Sequence, residues 1–480
     1  MRTETATLLD GTTLEYIPTV IGEGGMKQVY LTADKTSVIC LYKDRNAGKD
    51  PNRLARLQAI LGKYNPTISG QSGQYFKQLF CWPTGIVQSP SLGVVTPLYP
   101  ANYFFQEGVC AEKEKESTWF VSAKLRNMLP EAERGGWIRY FQASIVLARA
   151  VRRLHLAGLA HSDLSNKNVL LDPTSGQCLV IDIDSLVVPQ LYPPDVLGTR
   201  GYIAPEVLTT LHLPPSHPKR QHPSNLTDQH ALAVLIYQYL LCRHPLMGPK
   251  TYPAASAEEQ ERLEMGEKAL FIEHPHDQSN RPDNIQVPYS ALGPDLKGLF
   301  DQAFIDGLHT PHKRPVAADW EKGLNKTWNM LYPCHNPGCP GQRFVLNKDK
   351  IECPFCGTKP QGPIPLLTMR SARRAGHWML DGQLAVHHNL SLFKWHVFSD
   401  IFPGEVADRT PQAYFVFHQG KWLMINQKLN SLTASGGQRV KPSTHPDQPG
   451  QYIELKHRLK LYLAYNDPHG KVIDVEMIVP

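Results

Sequence analysis

The segment from His161 to Leu171 has the residue types of a phosphoryl-transfer site. Its sequence is H-x-D-L-x-x-x-N followed by an apolar run. A carboxylate such as that of Asp163 can orient an attacking hydroxyl, and an amide oxygen such as that of Asn168 can hold a magnesium ion at the phosphates of a nucleotide. The four residues between them allow one loop to direct both side chains toward the same phosphate. Because such a pattern often arises by chance, its meaning depends on the segments around it.

Two segments earlier in the chain could hold the nucleotide. The first precedes Val29, and its glycines are Gly22, Gly24 and Gly25. Glycine lets the backbone approach phosphate oxygens closely and adopt positive φ angles. The second is the apolar stretch 38–43, which predicts a strand with Lys43 at its end. Taken singly, a glycine loop or a lysine is more often a solvated surface feature, so these segments gain their weight from their order.

Three later segments complete an ordered set. Residues 198–206 have the sequence G-T-x-x-Y-x-A-P-E, the apolar stretch 231–241 follows Asp228, and residues 312–320 contain Arg314 before a proline. With the earlier segments, this order over about three hundred residues resembles the protein kinase family. The resemblance implies the α+β class, a bilobal protein-kinase fold, and ATP and Mg²⁺ at the active site.

The resemblance also implies a role for each candidate residue. Asp163 orients the acceptor hydroxyl, Asn168 and Asp182 hold magnesium, and Lys43 pairs with the α- and β-phosphates. The remaining nucleotide contacts are expected from the glycine-rich loop and from the backbone of the hinge that binds adenine: Gly22, Gly24, Gly25 and Val29 in the loop, and Val95, Thr96 and Leu98 in the hinge.

Further expectations concern acidic side chains. Kinases carry D-F-G where this chain has Asp182, Ile183 and Asp184. Asp182 is the better metal ligand because its separation in sequence from Asn168 fits best. Asp184 takes the glycine position and could be a second acid at the metal. A shift of one residue in register would exchange their roles. Asp228 is expected to anchor the catalytic loop from below, and Arg314 to pair with Glu206.

The chain departs from the family pattern around the phosphate-binding lysine. No glutamate lies between Lys43 and Gln106, so the helix that normally supplies an ion-pair partner for this lysine lacks one. Gln58 is the best substitute, although a neutral hydrogen bond is weaker than a charge-assisted one by about a factor of two. Lys27 fills the third glycine position of the loop, and the extra Gly25 can restore its flexibility.

A second departure concerns regulation. Ser162 replaces the arginine that usually precedes the catalytic aspartate and binds a phosphorylated activation loop. Between Asp184 and Gly198 the only hydroxyl-bearing residues are Ser185 and Tyr192. Activity that depends on phosphorylation of this loop is therefore not expected. These departures leave open a pseudokinase scaffold as the main alternative. A small-molecule kinase is a further alternative, but such enzymes lack the A-P-E and R-P segments.

Composition favours a soluble cytoplasmic protein. The net charge of +6 with 20% charged residues indicates no dedicated nucleic-acid or membrane partner. The N-terminal sequence has no apolar core like that of a signal peptide, and no segment reaches membrane-spanning length. A small basic cluster is best interpreted as a solvated linker: Arg370, Arg373 and Arg374. Five scattered cysteines are best interpreted as reduced core residues: Cys40, Cys81, Cys110, Cys178 and Cys242.

The four remaining cysteines predict a structural zinc site. They form C-x4-C and C-x2-C pairs, with thirteen residues between the pairs: Cys334, Cys339, Cys353 and Cys356. Two such turns can complete a tetrahedral site, and four thiolates leave no open position for catalysis. A disulfide or redox pair is the alternative, and His335 could replace one thiolate. Zinc ribbons also bind nucleic acid, but the few basic residues here favour a folded spacer.

The C-terminal region predicts strands separated by short turns. The strands are expected at 413–417, 422–425, 452–455, 459–463 and 472–478. Their spacing favours an antiparallel β-sandwich. The rhythm is similar to that of a forkhead-associated fold, although the residues that bind phosphothreonine there have no clear counterpart. This region is expected to dock a partner or the kinase itself.

The order of these parts allows a finer resemblance. The chain resembles bacterial eukaryotic-like Ser/Thr kinases with a kinase N-lobe at 12–98, a C-lobe at 99–328, a zinc ribbon at 331–362 and a β-domain at 363–480. It is similar to kinases of tellurite-resistance-type systems. That similarity implies a signalling role, a von Willebrand A-domain protein as substrate and a metal-dependent phosphatase that removes the phosphate.

Overall fold

The computed structural model describes residues 2–44, 46, 50–68, 70–189, 191, 198–374, 377–443, 450–465 and 467–480. The chain divides into two compact units. Unit 1 contains Met1–Ile285 and Gly298–Glu321, and unit 2 contains Gln286–Lys297 and Lys322–Pro480. Within the described part of the chain, no helix is both long enough and apolar enough to cross a membrane.

Unit 1 begins with a closed antiparallel barrel in the order β1-β2-β3-β4-β6-β5. Its strands are β1 (Glu4–Leu8), β2 (Thr13–Glu23), β3 (Lys27–Thr32), β4 (Ser37–Tyr42), β5 (Gly85–Ser89) and β6 (Gly93–Pro97). Successive side chains of a strand point to opposite faces. Ile39 and Leu41 of β4 therefore pack inside the barrel, whereas Cys40 and Tyr42 pack on the outer face, in the cluster that contains Leu57.

Helices make up most of the rest of unit 1. They are α1 (Pro51–Leu61), α2 (Gly70–Leu79), α3 (Ala123–Met128), α4 (Glu131–Arg134), α5 (Trp137–Leu156), α6 (Pro205–Leu208), α7 (Asn225–Leu241) and α8 (Ala257–Glu261). Two more helices are α9 (Gly293–Asp301) and α10 (Ala317–Trp328). Helix α7 is almost entirely buried and packs on α5. Ser224 caps its N-terminus, where its side chain accepts a hydrogen bond from Leu226 N.

Four short strands position the catalytic loop. They are β7 (Ala160–His161), β8 (Val169–Asp172), β9 (Gln177–Val180) and β10 (Leu186–Val187). β7 pairs with β10, and β8 pairs with β9. The loop 162–168 leaves β7 and enters β8, while residues 181–185 lie between β9 and β10. Because these strands are paired, the two connecting segments are brought side by side.

Unit 2 contains a small two-stranded sheet and two larger antiparallel sheets. The small sheet pairs β11 (Leu331–Pro333) with β12 (Arg343–Val345). The five-stranded sheet has the order β14-β13-β21-β20-β18, and the four-stranded sheet has the order β15-β16-β17-β19. The elements of the larger sheets and their one helix are β13 (Ile364–Arg374), β14 (His377–Ala385), β15 (Ser391–Leu392), α11 (Lys394–Val397), β16 (Ala413–His418), β17 (Lys421–Asn426), β18 (Thr433–Ala434), β19 (Tyr452–Glu454), β20 (Lys460–Tyr462) and β21 (Val472–Ile478).

Buried side chains from both larger sheets share one core. Leu367 and Val475 come from the five-stranded sheet, and Phe415 and Met424 come from the four-stranded sheet. All five strands predicted between residues 413 and 478 are present at or near the expected bounds.

The interpretation of the arginine cluster as a linker is wrong, because residues 364–374 form β13. The β13 backbone pairs with β14 on one side and β21 on the other. Arg370 Nε lies 3.1 Å from Asp474 Oδ2 on the neighbouring β21. The linker interpretation failed because it used charge alone and missed the strand pairing.

Candidate active site

The catalytic loop is held in place by Asp228, as expected. Asp228 Oδ2 accepts a hydrogen bond from His161 N at 2.8 Å and lies 3.0 Å from His155 Nε2. Asp228 is almost completely buried near the start of α7, so a rigid core helix carries the anchor. His161 Nε2 lies 2.9 Å from the carbonyl oxygen of Ile181, which ties the loop to the segment that bears the acids.

Asp163 and Asn168 are brought together within this loop. Asn168 Nδ2 donates to the carbonyl oxygen of Asp163 at 2.8 Å and to its Oδ2 at 3.0 Å. Since the amide nitrogen is directed to Asp163, the amide oxygen is the atom of Asn168 that can face a cation. Burial raises the pKa of Asp163, while hydrogen bonding to Thr199 and the charge of His161 oppose that rise. This arrangement suits a carboxylate that holds an incoming hydroxyl.

The two acids after β9 lie beside the loop. Ile181 N donates to the carbonyl oxygen of Asn168 at 3.0 Å, so Asp182 is one residue from a backbone contact with the loop. Asp182 adopts a left-handed conformation with φ of 59°, and the next three residues form a short 3₁₀ turn. Ser162 Oγ donates to the carbonyl oxygen of Ser185 at 2.7 Å, and Ser185 Oγ donates to that of Asp182 at 2.8 Å. These bonds fix the turn against the loop.

Lys27 of β3 reaches both acids. Its Nζ lies 2.5 Å from Asp182 Oδ1, and 2.8 and 2.9 Å from the two carboxylate oxygens of Asp184. Tyr42 Oη donates to Asp184 Oδ2 at 2.8 Å. Burial by itself lowers the pKa of Lys27, but the charges of Asp184 and Asp182 outweigh it and hold this pKa well above its usual value. Burial raises the pKa of Asp182, and the nearby Lys27 ammonium more than offsets it, so that pKa is lowered.

The donor set fits a magnesium ion. Asp182 and Asp184 offer carboxylate oxygens, and Asn168 offers an amide oxygen, which are hard ligands of the kind Mg²⁺ prefers. The side chain of Asp182 is 28% exposed, whereas that of Asp184 is 4% exposed and is enclosed by Lys27 and Tyr42. Asp182 is therefore the more accessible of the two acids for a cation.

The segment after the site is fixed to the core by an ion pair. Arg314 Nη1 and Nη2 each lie 2.7 Å from one carboxylate oxygen of Glu206. This is the pairing expected from the sequence. It secures α6, which follows directly after residues 198–204.

A comparison with protein-family models matches residues 134–317 to the protein kinase domain. The matched segment covers less than half of the chain. The match contains the catalytic loop, both acids and the Glu206–Arg314 pair, and it begins after the barrel. Comparison with curated proteins finds no match.

Two solved structures from Toxoplasma gondii are similar to the chain at low identity. The kinase domain of a rhoptry antigen is 14% identical, with 68% of this chain and 86% of that chain covered and a TM-score of 0.39. ROP2, described as a virulence factor with a protein-kinase fold and no enzymatic activity, is 14% identical, with 68% and 84% covered and a TM-score of 0.41. At these scores neither likeness bears on the activity of this chain.

Lys43 does not reach the acids in the structure. Its Nζ lies 2.6 Å from Glu23 Oε1 at the end of β2. Tyr42, its neighbour in sequence, directs its hydroxyl toward Asp184, and successive side chains of a strand alternate between faces. Lys43 is thereby directed to the opposite side. Lys27 is therefore the lysine of this pair that contacts the acids, and the expected contact of Lys43 with phosphates stays a prediction.

The glycine-rich loop joins β2 to β3. Gly22 is paired with Val29, and Gly24 N donates to the carbonyl oxygen of Lys27 at 2.9 Å. A Cβ atom at Gly25 would have no atom within 4 Å. Glycine at this position is therefore not required by internal packing, which is compatible with space kept open for a ligand.

The predicted hinge contacts are only partly available. Val95 and Thr96 lie within β6, paired with Ile39 and Val38, and the side chain of Val95 packs inside the barrel. Leu98 N donates to the carbonyl oxygen of Thr36 at 3.1 Å. The first residues of the connection beyond these contacts are 99 and 100, so adenine contacts are better sought there than at Val95 or Thr96.

Gln58 is not brought to either lysine. Its side chain is exposed on α1. The α1 residue found near the site is Arg53, whose guanidinium lies 5.1 Å from the centre of the Tyr42 ring. The substitution of Gln58 for the missing glutamate therefore does not match the structure.

Tyr192, one of the two loop hydroxyls noted in the sequence, lies outside the described residues.

The four late cysteines converge in unit 2. Their Sγ atoms all lie within 4.8 Å of one another, with Cys334–Cys356 at 3.5 Å and Cys339–Cys353 at 3.6 Å. A tetrahedron of sulfur atoms about 2.3 Å from zinc has edges of about 3.8 Å, so the cluster has the size that zinc requires. A hydrogen bond with Thr358 is the main cause that lowers the pKa of Cys356 to about 6, whereas burial raises the pKa of Cys334 and of Cys353. Deprotonated thiols are the form that binds metal.

The cysteine cluster shares a core with the large sheets of unit 2. Cys339 and Cys353 are buried with Phe344, and the same cluster contains Ile364 from β13 and Ile478 from β21. The cysteine cluster is therefore packed on the five-stranded sheet, a contact that the interpretation as a folded spacer did not include. Sequence reasoning identified the ligands from their spacing but had no signal for this packing.

Proposed function

We propose that this protein is an ATP-dependent protein kinase that transfers the γ-phosphate to Ser or Thr hydroxyls of partner proteins. The observation that carries the proposal is the convergence of Asp163, Asn168 and Asp182 beside one loop of a protein kinase domain. Asn168 binds Asp163 through its amide nitrogen, which leaves its amide oxygen for a cation. These are the groups that phosphoryl transfer needs.

In this mechanism the chain contributes positioning and charge. Asp163 accepts a hydrogen bond from the acceptor hydroxyl and orients its oxygen toward the phosphate. Asn168 and Asp182 would hold magnesium, which neutralises charge on the phosphates when bound. Asp228 keeps the loop in register through its bond to His161 N. The Ser162–Ser185 bond maintains the alignment of the loop with the acids without a phosphorylated residue.

We also propose that unit 2 selects the partner. Structural zinc at the four cysteines would hold the ribbon on the five-stranded sheet. The finer resemblance supplies candidates: a von Willebrand A-domain protein as substrate and a phosphatase as its counterpart. The β-sandwich with a forkhead-associated rhythm and the bacterial origin likewise remain predictions from sequence.

A nucleotide-binding pseudokinase scaffold is the second candidate. It is favoured by the position of Lys27, whose ammonium lies against both acids that a magnesium ion would use. In such a scaffold the lysine would persist between the acids when ATP binds, and no phosphate would be transferred.

The test measures transfer of labelled γ-phosphate from ATP to the protein itself and to a generic acceptor protein. Asp163→Asn keeps the shape of the side chain but removes its charge, so ATP affinity should stay near that of the wild type while transfer falls by at least about 10²-fold. Equal transfer by wild type and Asp163→Asn would contradict the kinase proposal. Magnesium-independent ATP binding without transfer by the wild type would favour the scaffold.

A further inference from the structure

We propose that Lys27, rather than Lys43, is the residue that contacts the nucleotide phosphates, and that Asp184 anchors it in place of a helix carboxylate. This inference rests on the proposed kinase function. It assigns different tasks to the two acids, with Asp184 holding the lysine and Asp182 remaining for the cation.

The strand register supports the choice of Lys27. Lys27 and Tyr42 are direct partners in the antiparallel pairing of β3 with β4. Paired residues project to the same face of a sheet. Tyr42 reaches Asp184 from this face and so does Lys27, whereas Lys43 is directed to the other side and is bound to Glu23. Lys43, which directly follows β4, would have to reach around to the opposite face of the sheet to approach the acids.

The burial of Asp184 supports its role as an anchor. Its side chain is 4% exposed, and removing a carboxylate from water is costly unless it is paired and hydrogen-bonded. Lys27 supplies the charge and contacts both oxygens, and Tyr42 adds a hydrogen bond to Oδ2. The lysine is thus held by a rigid bidentate contact. Its bond to Asp182 uses only Oδ1 of a side chain that is more exposed, so this second contact is the one that a cation could displace.

Helix α1 offers no alternative anchor. Its sequence, PNRLARLQAIL, contains no acidic residue. Arg53 packs over the Tyr42 ring and would repel a lysine rather than hold it. Both carboxylate partners of Lys27 lie in the turn after β9, and Tyr42 of β4 contacts one of them. Placement of the phosphate-binding lysine therefore does not require a movement of α1, which in the family pattern carries the ion-pair partner.

The experiment compares five variants of the full-length protein in ATP titrations of phosphate transfer and of nucleotide binding. Lys27→Met should lower kcat/KM by about 10²- to 10³-fold, because it removes a charged donor at the phosphates. Lys43→Met tests the alternative lysine, and its kcat/KM should remain within about threefold of the wild-type value. Lys77→Met, on the exposed face of α2, is the matched control for the loss of a surface lysine. Melting curves check that each variant is folded.

Asp184→Asn tests the anchoring role. It should raise the KM for ATP more than it lowers kcat and leave the magnesium requirement unchanged, because the lysine loses its bidentate partner. Asp182→Asn should instead raise the magnesium concentration needed for half-maximal activity. A Lys43→Met variant that loses as much activity as Lys27→Met, or an Asp184→Asn variant that shifts only the magnesium requirement, would overturn the inference. If wild type transfers no phosphate, the kinase proposal fails, and the binding titrations still decide between Lys27 and Lys43.

Discussion

Replacement of Arg314 by methionine should strongly destabilise unit 1. The guanidinium is fully buried and makes two 2.7 Å bonds to Glu206, whose side chain is 19% exposed. It also donates to the carbonyl oxygens of Gly307, Leu226 and Leu308. Breaking a buried ion pair by removing one partner costs about 3–5 kcal/mol, since the other charge stays buried without compensation. At about 2–4 °C per kcal/mol for a domain of this size, the melting temperature should fall by roughly 6–20 °C.

The assay is thermal unfolding of the full-length protein, with urea titration as a second measure. The matched control is Arg262→Met. Arg262 forms an ion pair with Glu267 at 2.5 Å, and the two side chains are 34% and 40% exposed. Such surface pairs contribute about 0–1 kcal/mol. The double variant Glu206→Gln with Arg314→Met should be more stable than Arg314→Met alone, because no charge is left unpaired. An Arg314→Met protein that melts within about 2 °C of the Arg262→Met control would refute the reasoning.

Two further predictions concern the zinc cluster and regulation. Joint replacement of Cys353 and Cys356 by serine should release zinc and leave the affinity for ATP near that of the wild type. It should also loosen unit 2, because the cysteine cluster shares a core with β13 and β21. Metal analysis, nucleotide titration and amide exchange measure these three effects. Loss of ATP binding in a variant whose unit 1 remains folded would contradict it. Ser185 should be unmodified in active protein, because its side chain is buried and hydrogen-bonded to the carbonyl oxygen of Asp182. Mass spectrometry and phosphatase treatment test this. Loss of activity when phosphatase removes phosphate from this loop would contradict it.

The sequence predicted the parts of the site that depend on short local motifs. The loop from His161 to Asn168, the anchor Asp228 and the Glu206–Arg314 pair are found as expected, since each motif constrains a turn or a buried charge that needs a partner. The convergence of the four late cysteines was also predictable, because paired cysteine spacings encode the geometry of a turn.

The lysine that contacts the acids could not be found by spacing alone. The sequence offered both Lys27 and Lys43, and which of them faces the acids depends on strand register and on alternation between faces. The sequence did carry one sign of this, because Lys27 stands where a glycine is expected in the glycine-rich loop. Only the pairing of Lys27 with Tyr42 shows that this lysine is on the face of the sheet that contacts the acids. The hairpin of β13 and β14 was missed for a related reason, because its stability comes from pairing with distant β21 rather than from local pattern.

The most direct test of the central claim uses ATP labelled with ¹⁸O at the γ-phosphate, incubated with the full-length protein and a cell lysate in the presence of Mg²⁺. Mass spectrometry then identifies residues that carry the heavy phosphate. The account predicts labelled serine or threonine residues with the wild type and none above background with Asp163→Asn. Absence of labelled residues with a folded, ATP-binding wild type, or equal labelling by both proteins, would contradict it.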